Sequence, residues 1–217
     1  MENLNYKELY KLQDKVLDIV FKTEKEFYLT GGTCISRFYK GKRYSDDLDF
    51  FTNDSSRYNV AVRNIKIALM KNFNLKAEIE SKNFSRFIVD KILQVDFVND
   101  TAYRYKDVVI TKEGYIIDNI ENILSNKITA VMGRDDPKDI FDIYLIAKFY
   151  TFSWKDILRS AHKKAYFSDE ELIIRLKAFP SELLKNIKLI DKNFLDNFDE
   201  EFKRVINDIE NEIDDEE

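Results

Sequence analysis

The sequence predicts an α+β chain, with a mixed sheet and its helices over residues 1–118 and an all-helical part over residues 119–217. Three observations carry that expectation. Short strand-like runs bounded by turn residues are found before residue 118, and strand signals disappear from Asn119 onward. After residue 119, apolar side chains recur at helical spacing instead. Pro137 and Pro180 stand where helices would begin, the position at which a missing N–H is harmless.

In chain order, Leu9, Leu12, Val16, Ile19 and Val20 form a helical stripe over residues 4–24. Phe27–Leu29 reads as a short strand ending at Gly31-Gly32, with a short helix over 33–39 after it. Leu48–Phe51 is a strand, and residues 58–72 a helix with Val62, Ile65, Ile67 and Leu69 turned inward. Residues 75–80, 84–90 and 92–98 are three strands, the last two close enough for a tight hairpin. Residues 108–110 and 115–117 flank Gly114 as short edge elements. Helices are expected over 119–132, 137–150, 153–164, 168–178, 181–190 and 194–213, followed by a frayed acidic tail over 214–217. No internal repeat or low-complexity linker interrupts the series.

Composition narrows the class. With 217 residues, 44% hydrophobic and 14% aromatic, the chain can bury a substantial core. Its longest apolar stretch, residues 140–150, is broken by charge and falls short of the roughly 18 residues that cross a bilayer. The polar, acidic N-terminus lacks a basic-then-apolar leader, and one cysteine excludes an internal disulfide. A cytoplasmic protein without a membrane partner is expected. The net charge of −5 is unevenly spread: residues 165–217 hold 16 acidic and 7 basic residues, leaving 28 basic and 24 acidic before them. This mildly basic front permits an RNA partner without requiring one.

Asp47-Leu48-Asp49 is the motif on which the chemistry turns. On a strand, residues i and i+2 share a face, about 7 Å apart at the backbone. Two carboxylates so placed suit a hard cation such as Mg²⁺ (or Mn²⁺), which keeps water and phosphate oxygens as further ligands. An Asp-X-Asp alone also occurs on exposed strands. Asp96 stands in an otherwise apolar strand, Leu93–Val98, where an acid is costly to bury unless paired or metal-bound; an adjacent strand would make it a third ligand. Gly31-Gly32-Thr33 lies between a strand and a helix about fifteen residues earlier. Glycines there let a ligand approach the backbone, and Thr33 either caps the helix or donates to a phosphate.

Together, Gly31-Gly32-Thr33, the run Arg43-Tyr44-Ser45-Asp46-Asp47-Leu48-Asp49-Phe50 and the stretch from Arg134 to Asp142 resemble the AbiEii/AbiGii-type nucleotidyltransferase toxins of the polymerase-β superfamily. The resemblance spans residues 27–150. It implies a polymerase-β-type nucleotidyltransferase core with a C-terminal helical domain, taking a nucleoside triphosphate and Mg²⁺. Its members act in bacterial toxin–antitoxin and phage-defence systems, and those that modify tRNA add nucleotides to the acceptor end. Carried over, Asp47, Asp49 and Asp96 are the metal-binding acids, and Asp96 is also positioned to take the acceptor's proton. Lys127 is the lysine that reaches the triphosphate, and Asp139 and Asp142 are the Asp-x-x-Asp helix pair, with Asp142 the active-site member. Serine is frequent in the family where Thr33 stands. An exposed helix lysine is the plainer reading of Lys127. Arg43 either contacts phosphate or pairs with Asp46 or Asp47, and a salt-bridge network with Arg134 and Lys138 is the plainer reading of Asp139 and Asp142.

These features imply transfer of a nucleotide to RNA, with tRNA foremost, and admit an antitoxin protein as partner. Transfer to a protein or small molecule, or a non-catalytic regulatory module, are the other readings. His162 lies among Arg159, Lys163 and Lys164, so it reads as a solvated residue or an RNA-backbone contact. Cys34 reads as a small buried residue, and Trp154, beside a capping Ser153, as packed on the aromatic-rich segment 141–152.

Overall fold

Asn5 starts the first helix, α1 (Tyr6–Thr23), by accepting the N–H groups of Lys7 and Glu8 at 3.1 and 3.4 Å, donors that no helical carbonyl can satisfy. The structure, a computed structural model, describes residues 5–214. Leu4 and the tail after Asp214 lie outside the described residues. The inward stripe of α1 is Leu9, Leu12, Val16, Leu17, Val20 and Phe21. Ile19, expected on it, is only half-buried, because Leu17 and Phe21 lie nearer its centre line.

Seven strands follow: β1 (Tyr28–Thr30), β2 (Leu48–Asn53), β3 (Leu75–Glu80), β4 (Phe84–Val89), β5 (Leu93–Asp100), β6 (Val109–Ile110) and β7 (Ile116–Ile117). They form one sheet in the order β3-β4-β5-β2-β1-β7-β6. The β2/β5 and β1/β7 pairs are parallel and the others antiparallel, so the sheet is mixed as expected. Residues 115–117 are not an edge. Ile117 pairs with Leu29, placing β7 inside the sheet and leaving β6 and β3 as its margins. The β4–β5 connection is tight: Asp90 and Lys91 both take positive φ (49° and 65°), and Ile92 N–H donates to Val89 O at 3.1 Å. That twist matches the flanking strands, here without glycine.

Helix α3 (Tyr58–Met70) buries Tyr58, Ala61, Val62, Ile65 and Leu69. Ile67 is 48% exposed rather than inward, since the buried face advances by three and four residues and passes it. Aromatic rings fill the core of this part. Phe50 stacks on Phe97 at 5.2 Å, Phe21 of α1 meets Phe50 edge-on at 5.7 Å, and the Tyr58 hydroxyl donates to Phe97 O at 2.9 Å. One face of the sheet therefore carries α1 and α3, and alternation turns Asp49, Asp96 and Arg86 to the other face.

The chain divides into two compact units. One runs to Cys34 and takes in Ser45–Thr101 and Asp107–Asp118; the other holds Ile35–Tyr44, Ala102–Lys106 and the chain from Asn119 onward. The second unit contains α4 (Ile120–Gly133), α5 (Pro137–Phe149), α6 (Trp154–Lys164), α7 (Asp169–Ala178) and α8 (Phe198–Asp214). Asn119, Asp136, Ser153 and Ser168 cap the first four, Ser168 in a reciprocal capping box with Glu171, and Pro137 opens α5. The buried face of α4, with Ile123, Leu124 and Ile128, is packed by α5, α6 and α7. Residues 181–186 form a 3₁₀ helix and α8 begins at Phe198, so the helices expected over 181–190 and from 194 are shorter. The intervening strand-like segment explains why: Tyr44 N–H donates to Lys188 O and Ile190 N–H to Lys42 O, both at 2.9 Å, which commits 188–190 to an extended backbone.

Candidate active site

In the sheet unit, β1 ends at Gly31, which opens the four-residue helix α2 (Gly31–Cys34). A π-helical turn over Ile35–Tyr39 follows, in place of one continuous helix. Gly31 has φ +71°, and a Cβ there would lie 2.8 Å from Asp49 Oδ2. Both conformation and space thus require glycine, and the glycine turn lies against the carboxylate strand. Gly32 continues the turn, half-buried. Thr33 was expected to cap the helix or meet a phosphate. Its hydroxyl instead donates to Asp47 O at 2.5 Å, fully buried, which fixes the approach to β2.

Asp49 is the direct partner of Asp96 across the parallel β2/β5 pair, in the adjacency expected from the strand pattern. Leu48 and Phe50 point to the core on either side, and Asp47 and Asp49 remain half-buried. Asp96, however, is taken. Arg86, opposite it on β4, donates Nε to Oδ1 at 2.8 Å and Nη2 to Oδ2 at 2.6 Å, and Gln94 Nε2 adds a bond to Oδ2 at 3.1 Å. The Asp96 hydrogen bonds, with the charges of Asp96, Glu78 and Asp49 behind them, hold the Arg86 guanidinium above its ordinary pKa against the opposing effect of burial. Among the described residues no three acids, histidines or cysteines are gathered to hold a metal ion. The paired carboxylates of Asp47 and Asp49 suit a hard cation by their donor chemistry. Asp96, as held by Arg86, adds no oxygen to them.

The helical unit assembles a different cluster. Arg43 grips Asp142 with two bonds of 2.8 Å, and its Nη1 donates to Tyr44 O at 3.0 Å. It does not pair with Asp46 or Asp47. Lys127 is not an exposed helix lysine: it is 8% exposed and bonds Asp139 at 2.7 Å and Asp142 at 2.8 Å. Arg134 closes the group with bonds of 2.6 and 2.9 Å to Asp139, where Lys138 had been the other expected partner. Burial alone would lower the Lys127 pKa, but the Asp142 and Asp139 carboxylates override it and raise it. Burial likewise works to raise Asp142, yet Arg43 and Lys127 bring it down to about 2. Three cations, Arg43, Lys127 and Arg134, thus surround the two carboxylates of Asp139 and Asp142.

Three further residues were singled out from the sequence. His162 is exposed, stacked on Phe167 and bonded to Asp169 at 2.7 Å. Cys34 is fully buried, and burial pushes its thiol pKa well up, which suits packing and not nucleophilic attack. Trp154 packs edge-on against Phe152 at 4.8 Å. Arg86 was missed, although the tight hairpin fixes its register opposite Asp96.

Known proteins share this architecture. A family model described as "Nucleotidyl transferase AbiEii toxin, Type IV TA system" matches residues 18–216. A protein of Aquifex aeolicus (strain VF5), aq_aa25, described as uncharacterized, is 24% identical over 185 residues, covering 83% of this chain and 86% of that protein. The crystal structure of JHP933 from Helicobacter pylori superimposes with a TM-score of 0.65 at 20% identity, covering 99% of this chain and 96% of that one. MenT4, the nucleotidyltransferase toxin Rv2826c of Mycobacterium tuberculosis H37Rv, superimposes at 0.53 and 14% identity, covering 72% and 63%. No described helix is long and apolar enough to cross a membrane.

Proposed function

The chain belongs to the AbiEii nucleotidyltransferase toxin family, and from that premise we propose that it moves a nucleotide from a nucleoside triphosphate to an RNA acceptor, tRNA, with Mg²⁺ held by Asp47, Asp49 and Asp96. The observation that carries this reading is the register of Asp49 against Asp96 on parallel strands, with Gly31 backed onto the Asp49 carboxylate. A bound divalent cation supplies charge neutralisation to the phosphates of such a substrate. The residues of the chain supply position. Gly31 leaves the backbone open beside Asp49, Thr33 fixes the carbonyl of Asp47, and the aromatic core behind β2 and β5 keeps both carboxylates from shifting. Asp96, released from Arg86, is the group to receive the acceptor's proton.

Lys127 is a phosphate contact in this reading, with Asp139 and Asp142 holding its ammonium in place. Arg43 is a positioning residue through Asp142. A toxin of this kind works against an antitoxin and inside the cytoplasm, with phage defence as its setting. The test is incubation with each labelled triphosphate, total tRNA and Mg²⁺. Label on tRNA that depends on metal and on Asp49 is expected; label on protein instead would move the acceptor, and no transfer with any triphosphate would sink the reading.

A further inference from the structure

Asp49, Asp96 and Arg86 form one row in register across three neighbouring strands, on the face turned away from the aromatic core. Strands in a sheet lie about 5 Å apart, so Asp49 and Asp96 repel unless a positive charge lies close by. Arg86 supplies that charge from within the sheet. Its guanidinium spans both oxygens of Asp96, the geometry in which arginine binds a carboxylate most strongly. The two partners differ in freedom. Asp96 sits on an inner strand with its side chain 8% exposed, whereas that of Arg86 is 32% exposed, next to the edge strand. The guanidinium also has other company at that margin: its carbon lies 5.5 Å from the Phe84 ring, and Glu78 of β3 acts on it electrostatically.

We propose that Arg86 is an internal stand-in for the divalent cation. It holds Asp96 while the metal is away, and must let go for Asp96 to become a ligand, so Arg86 sets the metal affinity of the site. This rests on the reading of Asp47, Asp49 and Asp96 as the metal site. A guanidinium and a divalent cation compete for the same two oxygens, and the rigid strand register keeps the competitor always within reach.

Mn²⁺ titration of the full chain without nucleotide, followed by the electron paramagnetic resonance of the free ion, tests it. Arg86→Gln should bind Mn²⁺ about tenfold more tightly than wild type, the scale of freeing one carboxylate from a charge-assisted hydrogen bond. Arg86→Lys, which keeps the charge but not the two-pronged grip, should fall between, and serves if the glutamine variant fails to fold. In an Asp96→Asn background most of the gain from Arg86→Gln should be lost, leaving only what the removed charge contributes by itself. Unchanged or weaker binding in the folded arginine variants, or a gain that persists undiminished without Asp96, overturns the proposal while leaving the metal site standing, provided Asp49→Asn still loses Mn²⁺. Wild-type Mn²⁺ binding by Asp49→Asn overturns the metal-site reading and this inference with it.

Discussion

At the scale of single residues, Gly31 joins two requirements that any side chain would break. Its φ of +71° disfavours an L side chain, and a methyl group would press to 2.8 Å from an Asp49 oxygen. Gly31→Ala should therefore lower stability by about 1–3 kcal/mol, read by urea unfolding, and reduce nucleotide transfer further by displacing Asp49. Gly114, also at positive φ but with open space around it, should tolerate alanine with the smaller backbone penalty alone. Asp47→Asn and Asp49→Asn should abolish transfer while the metal-free melting temperature holds or rises slightly, since each removes one of two like charges two residues apart at the start of β2. A melting temperature that falls by many degrees would make these acids structural. The Asp-X-Asp, the glycine pair and Asp96 were legible because each is a short pattern with a chemical meaning. Arg43 was legible only as a basic residue near acids. Its partner, Asp142, is 99 positions away, and nothing local could select it over Asp46 or Asp47.

At the scale of elements, α4 and α5 share a charge cluster in addition to their apolar contacts. Asp142→Asn would leave Arg43 and Lys127 short of a carboxylate in a closed site, at a cost of roughly 3–5 kcal/mol, measurable by chemical denaturation. The same cluster gives an acid-sensitive window. Asp142 titrates near 3.8 in an unfolded chain and at about 2 here, so its stabilisation is complete above pH 4 and is lost as pH falls through 2. That shift corresponds to about 2 kcal/mol, and unfolding free energy should decline across this window in wild type, less so in Asp142→Asn. Helices with strong caps were located closely from sequence, as with Ser153 and Pro137 at the starts of α6 and α5. Failures came where partners outside the element decide. Ile67 lies on the far face of α3, residues 188–190 are drawn into pairing with 42–44, and β7 is inserted beside β1 by a register that no local pattern encodes.

At the scale of the whole molecule, ligand binding and charge distribution make the function measurable. Mg²⁺ with a triphosphate should raise the melting temperature, because a ligand of the native state stabilises it by mass action. Lys127→Ala needs care as a probe, since it also removes a buried partner of Asp139 and Asp142. Comparing the ligand-induced shift, not the absolute melting temperature, isolates the phosphate contact; equal shifts in mutant and wild type would assign Lys127 to structure alone. The basic residues of α6 invite an RNA test in the same spirit. Lys164 bonds the Asn122 side chain and so contributes to packing, whereas Lys163 lies over the Tyr103 ring at 4.8 Å and Arg159 pairs loosely with Asp156 at 3.8 Å. Neutralising Arg159 and Lys163 together should weaken RNA binding and flatten its salt dependence by up to about two units of counterion release. Superimposable salt lines would place the RNA on another surface.

The strand-like pairing of residues 42–44 with 188–190 has a consequence for how the protein is made. Arg43 leaves the ribosome early, yet its backbone partner near Leu189 and its carboxylate partner on α5 are synthesised long after it. Contacts of such sequence separation close slowly. The buried charge cluster therefore stays open until α5 has been synthesised, and a chain cut short before residue 188 leaves residues 42–44 without that pairing. For a toxin, that order makes assembly of the Lys127 site wait until α5 has been made.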